Sequence, residues 1–337
     1  ILEKGILKKN IQAYIGIAGV FDYKIFWKAM HEGGKTAIDQ GESFAMNAIL
    51  KKNFINAYKF KWFDTGNVES ISEAKNEYRQ PDEPNILEKE NEAIWFVGDN
   101  VIKYSDDTKF ISNRVKRAKE LKEFVPSINV KGNNMYSYKK ISGKVLSEAI
   151  TLPIFEDFMN ECKKFWIIKK LDNEDKKIFN KNCLNFYKNK TFERISLFYK
   201  NFSQKDNAEY INDKKVPTLN NILNDIDWDW LSDGCSGRFH GDFHFENILY
   251  SEAKKTFTFL DWRQDFAGDL YIGDIYYDLA KLMHGLIINH GIIANGNYSA
   301  SWVKNKINYD FDRKETLINC EKILEEWILE NNYDLKK

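Results

Sequence analysis

The spacing of the hydrophobic positions predicts a small mixed unit of strands and one helix around residue 100. Residues 93–97 and 101–104 are apolar runs on either side of a Gly-Asp-Asn turn, a pattern typical of a β-hairpin. A helix is then expected over about residues 110–124, because Ile111, Val115, Ala118, Leu121 and the adjacent Val125 recur at helical spacing. Residues 135–143 predict another strand, which ends at a glycine.

The pattern becomes mainly helical after this unit. Residues 147–231 are rich in aromatic side chains and in helical spacing. Residues 257–260 form a short apolar run that predicts a strand, and the rest of the chain is expected to be helical again. A small mixed half followed by a large helical half predicts an α+β fold with two lobes.

A segment with two prolines divides the chain. Pro81 and Pro84 lie within residues 79–85, and two prolines so close together disfavour both helix and strand. We therefore expect a linker at 79–85. It follows an amino-terminal piece, residues 1–78, that alternates short apolar runs with polar turns. The region after the linker divides into a small lobe, 86–143, and a large helical lobe, 144–337.

Composition narrows the classes of protein that fit. Lys+Arg and Asp+Glu are both 50 in 337 residues, so bulk charge predicts neither a nucleic acid nor an anionic membrane as partner. The four cysteines are scattered, which indicates free thiols in a reducing compartment. No apolar run approaches the ~20 residues of a membrane span. The sequence begins Ile1-Leu2 with no signal peptide, so we expect a cytoplasmic protein and a sequence that begins inside a longer polypeptide.

Residues 240–247, His-Gly-Asp-Phe-His-Phe-Glu-Asn, carry the chemistry with the clearest spacing. Asp242 and Asn247 lie five positions apart, and Asp261 follows the apolar run 257–260, fourteen residues beyond Asn247. Phosphoryl transfer from a nucleotide uses one Asp to orient and deprotonate the acceptor hydroxyl, and an Asn and a second Asp to hold magnesium. Lys103 ends a predicted strand in the small lobe, from which an ammonium can reach the α- and β-phosphates.

A His-Gly-Asp turn on its own is common and has a purely structural explanation. The whole set is harder to explain in that way, because the loop, the strand that leads to Asp261 and the upstream Lys103 occur in the expected order. The sequence therefore predicts a kinase that acts on small molecules.

This pattern resembles the aminoglycoside phosphotransferase and choline kinase superfamily over about residues 86–337. The resemblance implies a bilobal protein-kinase-like fold, with ATP and Mg²⁺ as cofactors. It implies that Asp242 is the catalytic base, that Asn247 and Asp261 are the magnesium ligands, and that Lys103 binds phosphate. It also makes residues 138–141 the hinge that holds adenine, namely Tyr138, Lys139, Lys140 and Ile141.

Two features depart from the superfamily pattern. Residues 87–92, Leu-Glu-Lys-Glu-Asn-Glu, stand where a glycine-rich phosphate loop is expected. The glutamate that should pair with Lys103 is not evident either. Arg114 lies near the expected spacing, whereas Glu120 lies farther along the helix, so the partner of Lys103 stays open.

Three residues beside the main set are further possible contacts or supports of the site. His240 is expected to bond backbone and hold the loop. His244 packs the loop or touches the acceptor or a phosphate, and we favour packing. Arg263 contacts substrate or phosphate, or forms a structural ion pair with Asp265 or Asp269. Asp278 is expected to be a scaffold residue that caps a helix.

Residues 1–78 carry a second resemblance. Residues 14–22, 40–44 and 61–70, the last containing Trp-Phe-Asp-Thr-Gly-Asn, look like the last third of a sugar-1-phosphate nucleotidyltransferase. The resemblance implies that Asp64 helps to bind magnesium and that Glu42 contacts the sugar; Asp64 has the alternative of simply starting a turn. That family's glycine-rich nucleotide loop has no counterpart in these 337 residues. We therefore expect an α/β fragment of a bifunctional parent whose nucleotidyltransferase portion is incomplete here.

Together these features predict an ATP- and magnesium-dependent kinase whose acceptor is a small hydroxyl compound, a sugar or a choline-like amino alcohol. Fusion to a nucleotidyltransferase would suit the supply of activated precursors for surface polysaccharide. Two alternatives stay open at this point: an antibiotic-modifying phosphotransferase with an acidic acceptor groove, and a nucleotide-binding scaffold without turnover. No nucleic acid and no membrane is expected as a partner.

Overall fold

The computed structural model describes residues 15–63, 65–78, 90–207, 209–288 and 290–337. The chain forms two compact units, Ile1–Pro84 and Asn85–Lys337. The predicted linker, 79–85, lies outside the described residues. Among the helices of the described ranges, none combines the length and the apolar character that a membrane crossing needs.

The described residues of the first unit form three helices: α1 (Tyr23–Gln40), α2 (Glu42–Leu50) and α3 (Val68–Tyr78). Gly34, with φ of +50°, kinks α1. Ala37 of α1 and Ala45, Met46 and Ile49 of α2 are buried. The described part of this unit contains no strand, so the α/β character expected for it stays a prediction.

An antiparallel sheet opens the second unit. Its strands are β1 (Glu92–Val97), β2 (Asn100–Ser105), β3 (Ile128–Val130) and β4 (Met135–Lys139), in the order β1-β2-β4-β3. Alternate residues of β2, among them Lys103, are buried, as expected for a strand with one face on a core. Helix α4 (Thr108–Leu121) packs on this sheet, and Asp107 caps it by accepting from the backbone N of Lys109 at 2.9 Å.

The remainder of the second unit is dominated by helices. They are α5 (Leu146–Ala149), α6 (Leu152–Phe165), α7 (Asn173–Leu184), α8 (Lys190–Phe202), α9 (Leu219–Asn224), α10 (Trp228–Ser232), α11 (Ile275–Ile287), α12 (His290–Ala294) and α13 (Glu315–Glu330). A π-helical turn, Asn185–Asn189, joins α7 to α8, and 3₁₀ turns lie at Lys122–Phe124 and Phe245–Asn247.

Short strands connect these helices. They are β5 (Lys144–Val145), β6 (Glu209–Ile211), β7 (Lys214–Val216), β8 (Ser236–Gly237), β9 (Ile248–Ser251), β10 (Thr256–Phe259), β11 (Gly273–Asp274), β12 (Tyr298–Val303) and β13 (Lys306–Phe311). Strands β9 and β10 form an antiparallel hairpin, and β5 pairs with the other edge of β9. This hairpin connects the loop 240–247 to the segment that contains Asp261.

An aromatic core lies beneath that hairpin. Phe243, Phe245 and Phe259 have no exposed surface and pack with Phe158 and Phe165 of α6. A second cluster, formed by Phe179, Cys183, Phe186, Phe239 and Phe266, lies beside α7 and the π-helical turn. Burial of these large rings stabilises the loops that carry them, because each ring removes a large apolar area from water.

The α+β class predicted from the sequence is confirmed: small antiparallel sheets come first and helices dominate afterwards. Two local predictions were wrong. The helix expected over 110–124 ends at Leu121, because Lys122 takes a positive φ of 35° and a 3₁₀ turn follows. The end of the chain is not wholly helical, since β12 and β13 form a hairpin in which aromatic and polar residues alternate.

Candidate active site

The loop 240–247 joins β8 to β9 and alternates between core and surface. Phe243 and Phe245 are fully buried, which fixes the backbone between them. Asp242, with a side chain that is 40 % exposed, is therefore held at the surface of this core. The sequence pattern of two phenylalanines between polar residues explains why the polar side chains share one side of the loop.

Asp278 of α11 anchors the start of this loop. One carboxylate oxygen accepts from the backbone N of His240 at 2.6 Å and from Trp166 Nε1 at 3.1 Å, and the other accepts from the backbone N of Gly241 at 2.7 Å. Asp278 is thus a scaffold residue, as expected, because its carboxylate holds the backbone of the loop. The helix cap expected of Asp278 is wrong, because Asp274 caps α11 by accepting from the backbone N of Tyr276 at 3.1 Å.

Burial raises the pKa of Asp278 to about 6, although the hydrogen bonds from His240 and Gly241 act against the rise. The folded protein therefore holds this proton more tightly than the unfolded chain does. Between pH 4 and pH 6 the contribution of Asp278 to the free energy of unfolding falls as the pH rises, by at most ~3 kcal/mol.

We predict that Asp278→Asn flattens the pH dependence of stability between pH 4 and pH 6 and is less stable than the wild type throughout, because an amide accepts fewer of the buried N–H groups. Urea unfolding at several pH values measures both effects. Asp157→Asn, a change at an exposed position of α6, serves as the control. Parallel curves for wild type and Asp278→Asn would contradict the prediction.

Two backbone hydrogen bonds connect the loop to the segment after β10. The N of Arg263 donates to the carbonyl of His240 at 2.9 Å, and the N of Leu260 donates to the carbonyl of Asn247 at 2.7 Å. Gly241 allows this approach: its φ is +90°, and a Cβ there would lie 2.6 Å from the Cβ of Arg263. Asp261 is thereby brought next to the loop that carries Asp242 and Asn247.

Three side chains hold the carboxylate of Asp242. Lys281 Nζ lies 2.8 Å from Oδ1, whereas His244 Nε2 lies 3.4 Å and Asn247 Nδ2 lies 3.2 Å from Oδ2. Burial alone would raise the pKa of Asp242, but the bonds from His244 and Lys281 outweigh it and hold that pKa well below its usual range. Asp242 is therefore ionised at neutral pH, and both of its carboxylate oxygens have partners within the protein.

His244 is a partner of Asp242 as well as a packing residue. Its Nδ1 lies 3.0 Å from Glu246 Oε2, and burial, which would lower its pKa, is outweighed by the bonds to Asp242 and Glu246, so that its pKa is raised to about 9. The ring is then protonated at neutral pH and donates from both nitrogens. The 3.2 Å approach of Asn247 Nδ2 to Nε2 is in that state a contact between two donors, not a hydrogen bond.

His240 is buried, and its environment keeps it neutral. Burial lowers its pKa to about 3, more than Asp242 and the backbone of Leu260 raise it. Its Nδ1 accepts from the backbone N of Asp242 at 3.3 Å, and its ring packs on Phe243 with centroids 5.1 Å apart. These contacts agree with the expected role of holding the loop.

Asp261 completes the site from the other side. It has a φ of +55°, which is uncommon for a residue with a side chain and recurs at functional sites. Its Oδ1 forms ion pairs with Lys103 and with Arg114, the latter at 2.9 Å. Burial would raise the pKa of Asp261, but these two cations outweigh it and hold the pKa well below its usual range.

The charged partner of Lys103 is Asp261. Lys103 and Arg114 are both largely buried, with side chains 8 % and 11 % exposed, and they share one carboxylate. Arg114 also lies 3.4 Å from the hydroxyl of Tyr136. A basic residue therefore occupies the helix position where a glutamate was expected, and Asp261 supplies the negative charge.

The residues expected to hold adenine span the end of β4. Tyr138 is in β4, where it pairs with Val101 of β2 and Ile128 of β3. Lys139 closes the strand, and the backbone N of Lys140 donates to the carbonyl of Asp99 at 2.8 Å. Ile141 follows, partly exposed. The segment lies at the end of the strand that neighbours Lys103, and its contact with a nucleotide stays a prediction.

Asn247 and Asp261 offer oxygen ligands of the kind that magnesium takes. Asn247 Nδ2 donates to the carbonyl of Asp242 at 2.9 Å, which leaves its Oδ1 for a cation. Within the described ranges no group of three or more His, Cys, Asp or Glu side chains forms a metal site. One carboxylate and one amide suit a magnesium ion that arrives with phosphates, because Mg²⁺ is commonly held by few protein ligands plus the nucleotide.

Arg263 has no carboxylate partner among the described residues. Its Nε donates to the backbone carbonyl of Asp265 at 3.0 Å, and its guanidinium lies 4.8 Å from the ring centroid of Phe186. The ion pair considered from the sequence, with Asp265 or Asp269, is not formed. Sequence reasoning also missed Lys281, whose only signal is its place one turn after Asp278 on α11.

Of the two site residues expected in the amino-terminal unit, one lies within the described residues. Glu42 is exposed and begins α2, and a Cβ on Gly16 would lie 3.6 Å from its Oε1. Asp64 lies outside the described residues. The roles that the second resemblance gives to both residues therefore stay predictions.

Comparisons with known proteins bear on the class of enzyme. Residues 191–313 match the model of the APH phosphotransferase enzyme family, a span that includes Asp242, Asn247 and Asp261 but not Lys103. Solved structures similar to the chain include the ternary complex of streptomycin, ATP and APH(2″)-IIa, with 13 % identity, a TM-score of 0.29, and coverage of 67 % of this chain and 75 % of that chain. No curated protein matches the sequence. The family match confirms the first predicted resemblance, to the aminoglycoside phosphotransferase superfamily, and the class, a small-molecule phosphotransferase. The nucleotidyltransferase resemblance of residues 1–78 stays a prediction.

Proposed function

We propose that the protein transfers the γ-phosphoryl group of ATP, bound with Mg²⁺, to a hydroxyl group of a small metabolite. The observation that carries this proposal is the bonding between the loop and the segment after β10. The bonds from Leu260 to Asn247 and from Arg263 to His240 hold one oriented carboxylate, one amide and a second carboxylate together. A scaffold without turnover has no need of an ionised Asp242 held by Lys281.

In the proposed reaction, Asp242 Oδ accepts a hydrogen bond from the acceptor hydroxyl and orients its oxygen toward the γ-phosphorus. A bond forms between that oxygen and phosphorus while the bond from the γ-phosphorus to the β,γ-bridging oxygen breaks, and ADP leaves. The hydroxyl proton passes to Asp242 late, because a carboxylate with a low pKa takes it only once the attacking oxygen has become acidic.

On the donor side, Lys103 would contact the α- and β-phosphates, and Asn247 and Asp261 would hold the magnesium ion. The ion supplies neutralisation of the phosphate charge when it is bound. Lys103 and Arg114 already surround Asp261, so the donor side carries two cations where the phosphates would lie. Preorganised positive charge of this kind favours the phosphoryl-transfer transition state.

The test is phosphorylation of a panel of acceptors by the purified protein with ATP and magnesium, followed by mass spectrometry. Sugars and choline-like amino alcohols are the classes expected from the sequence. A product that carries one added phosphoryl group, formed only with ATP and magnesium present, supports the proposal. ATP and magnesium binding without any product across the panel would favour a scaffold instead.

We also propose that the product is a precursor for nucleotide activation, in the supply of building blocks for surface polysaccharide. Support comes from the sequence of residues 61–70 and from the place of Glu42 at the start of α2. The position of the new phosphate tests the idea. A phosphate on a sugar C1 suits attack on a nucleoside triphosphate, whereas a phosphate that no nucleotidyltransferase accepts would contradict it.

A further inference from the structure

Four basic side chains interact through their charges near Asp242, and one of them contacts it directly. Lys281 of α11 contacts Asp242 at 2.8 Å, and the backbone N of Arg263 donates to the carbonyl of His240 in the loop. Lys190 begins α8, and Arg194 lies one turn later on the same helix. We call these four residues, Lys190, Arg194, Arg263 and Lys281, the cationic cluster.

The ring of Phe186 brings two members of the cluster together. Lys190 Nζ lies 4.3 Å and the guanidinium of Arg263 lies 4.8 Å from the same ring centroid, that of Phe186. Phe186 packs on Tyr277, with centroids 5.0 Å apart, and Tyr277 lies one turn before Lys281 on α11. Two cations over one ring attract the ring but repel each other.

Among the described residues, the cluster has four cationic side chains and one carboxylate, Asp242, at ion-pair distance. Within the described ranges, Lys190, Arg194 and Arg263 have no carboxylate at ion-pair distance, and Lys281 shares Asp242 with His244. Burial, followed by repulsion from Arg263, Arg194 and Lys281, lowers the pKa of Lys190 to about 8, although Asp242 acts in the opposite direction. An anionic ligand would relieve this repulsion.

The cluster is separate from the cations of the donor side. Lys103 and Arg114 belong to the small sheet and its helix, and both bind Asp261. The carboxylate that acts on Lys190 is Asp242, and the members of the cluster come from α8, α11 and the segment after Asp261. The cluster therefore flanks the residue that would orient the acceptor.

We propose that the acceptor is a hydroxyl compound that already carries an anionic group, a phosphate or a carboxylate, which binds among Lys190, Arg194, Arg263 and Lys281. This proposal rests on the proposed phosphotransferase function. It disfavours cationic acceptors such as amino alcohols and aminoglycosides, because their ammonium groups would lie among like charges.

The experiment compares four probes: glucose 6-phosphate, glucuronate, glucose and ethanolamine. Formation of phosphorylated product is followed by mass spectrometry, with kcat and KM for acceptor and for ATP. We expect kcat/KM for at least one anionic probe to exceed that for glucose by about tenfold or more, and ethanolamine to be the poorest. The phosphate and carboxylate probes distinguish the two anionic groups.

Arg194→Glu is the most direct variant, because the side chain is exposed and its replacement leaves the packing of α8 intact. It should raise the KM for the preferred anionic probe by about tenfold and leave the KM for ATP within about twofold. Lys190→Gln should act in the same direction. Lys188→Gln is the matched control: Lys188 Nζ lies 5.9 Å from the ring centroid of Trp228 and is not among the charges that act on Lys190, so its variant should behave as the wild type.

Each outcome decides the proposal. Glucose or ethanolamine accepted as well as the anionic probes would overturn the anionic acceptor while leaving the kinase intact. A raised KM for ATP in Arg194→Glu would assign the cluster to the donor and overturn it as well. If no probe is phosphorylated, calorimetric binding of the anionic probes decides: binding weakened by Arg194→Glu supports the site, and no binding overturns it. Failure of ATP-dependent phosphorylation with every acceptor class counts against the phosphotransferase function itself.

Discussion

Replacement of Asp242 by alanine is expected to abolish phosphoryl transfer while ATP still binds. The kcat should fall by about a thousandfold or more, the range for loss of a general base, and the Kd for ATP with magnesium should stay within about threefold. The reason is geometric: the partners of Asp242 are Lys281, His244 and Asn247, whereas Asp261 and Lys103 interact with each other on the donor side.

Asp242→Asn separates charge from shape. It keeps the volume of the side chain but removes the negative charge, and it should be nearly as inactive as Asp242→Ala. Asp157→Ala, at the exposed position of α6, controls for any carboxylate loss. Thermal unfolding of each variant shows whether the fold is kept, since Lys281 and His244 lose a counter-charge. Turnover near the wild-type rate in either Asp242 variant would remove Asp242 from its role.

Loss of the Asp261 carboxylate is expected to weaken magnesium-dependent nucleotide binding about a hundredfold or more. Asp261 supplies the carboxylate oxygen for the ion, and its removal also leaves two largely buried cations, Lys103 and Arg114, without their shared counter-charge. Calorimetric titration of ATP with and without magnesium measures the effect. In the wild type magnesium should tighten binding, and in Asp261→Ala that difference should vanish.

Asp261→Ala can weaken nucleotide binding in two ways, by destabilising the fold and by removing the metal ligand, and the experiment has to distinguish them. Lys103 and Arg114 are largely buried and would lose their shared counter-charge, so Asp261→Ala is expected to unfold at lower temperature as well. Because the side chain of Asp261 is 35 % exposed, the loss should be smaller than for a fully buried pair. Asp261→Asn keeps an oxygen and the size of the side chain, and it should retain the fold better while still losing the magnesium effect. Nucleotide binding that responds to magnesium as strongly in Asp261→Asn as in the wild type would contradict the metal role.

Much of the site could be predicted from sequence because its residues lie close together along the chain. Asp242, Asn247 and Asp261 are separated only by a loop and a hairpin, so spacing and an apolar strand were enough to place them together. The small sheet was predictable for the same reason: alternation and a Gly-Asp-Asn turn specify a hairpin locally.

The rest depends on contacts between distant segments, which spacing does not encode. Arg114 and Asp261 are 147 positions apart, and Asp278, in helix α11, accepts from the backbone N of Gly241 in the loop. The cationic cluster is of the same kind, since Lys190 gives no signal in the sequence beyond those of the other lysines. The hairpin of β12 and β13 was missed because its alternation of aromatic and polar residues is short and was not separated from helical spacing.

The most direct test of the phosphotransferase assignment is transfer of labelled phosphate from [γ-³²P]ATP to an acceptor by the wild type, in parallel with Asp242→Ala at equal nucleotide occupancy. The wild type should give a labelled acceptor that forms only with magnesium and in step with ADP, and Asp242→Ala should give none although it binds ATP. A labelled acceptor in both proteins, or ATP bound with magnesium and no labelled acceptor in either, would contradict the account.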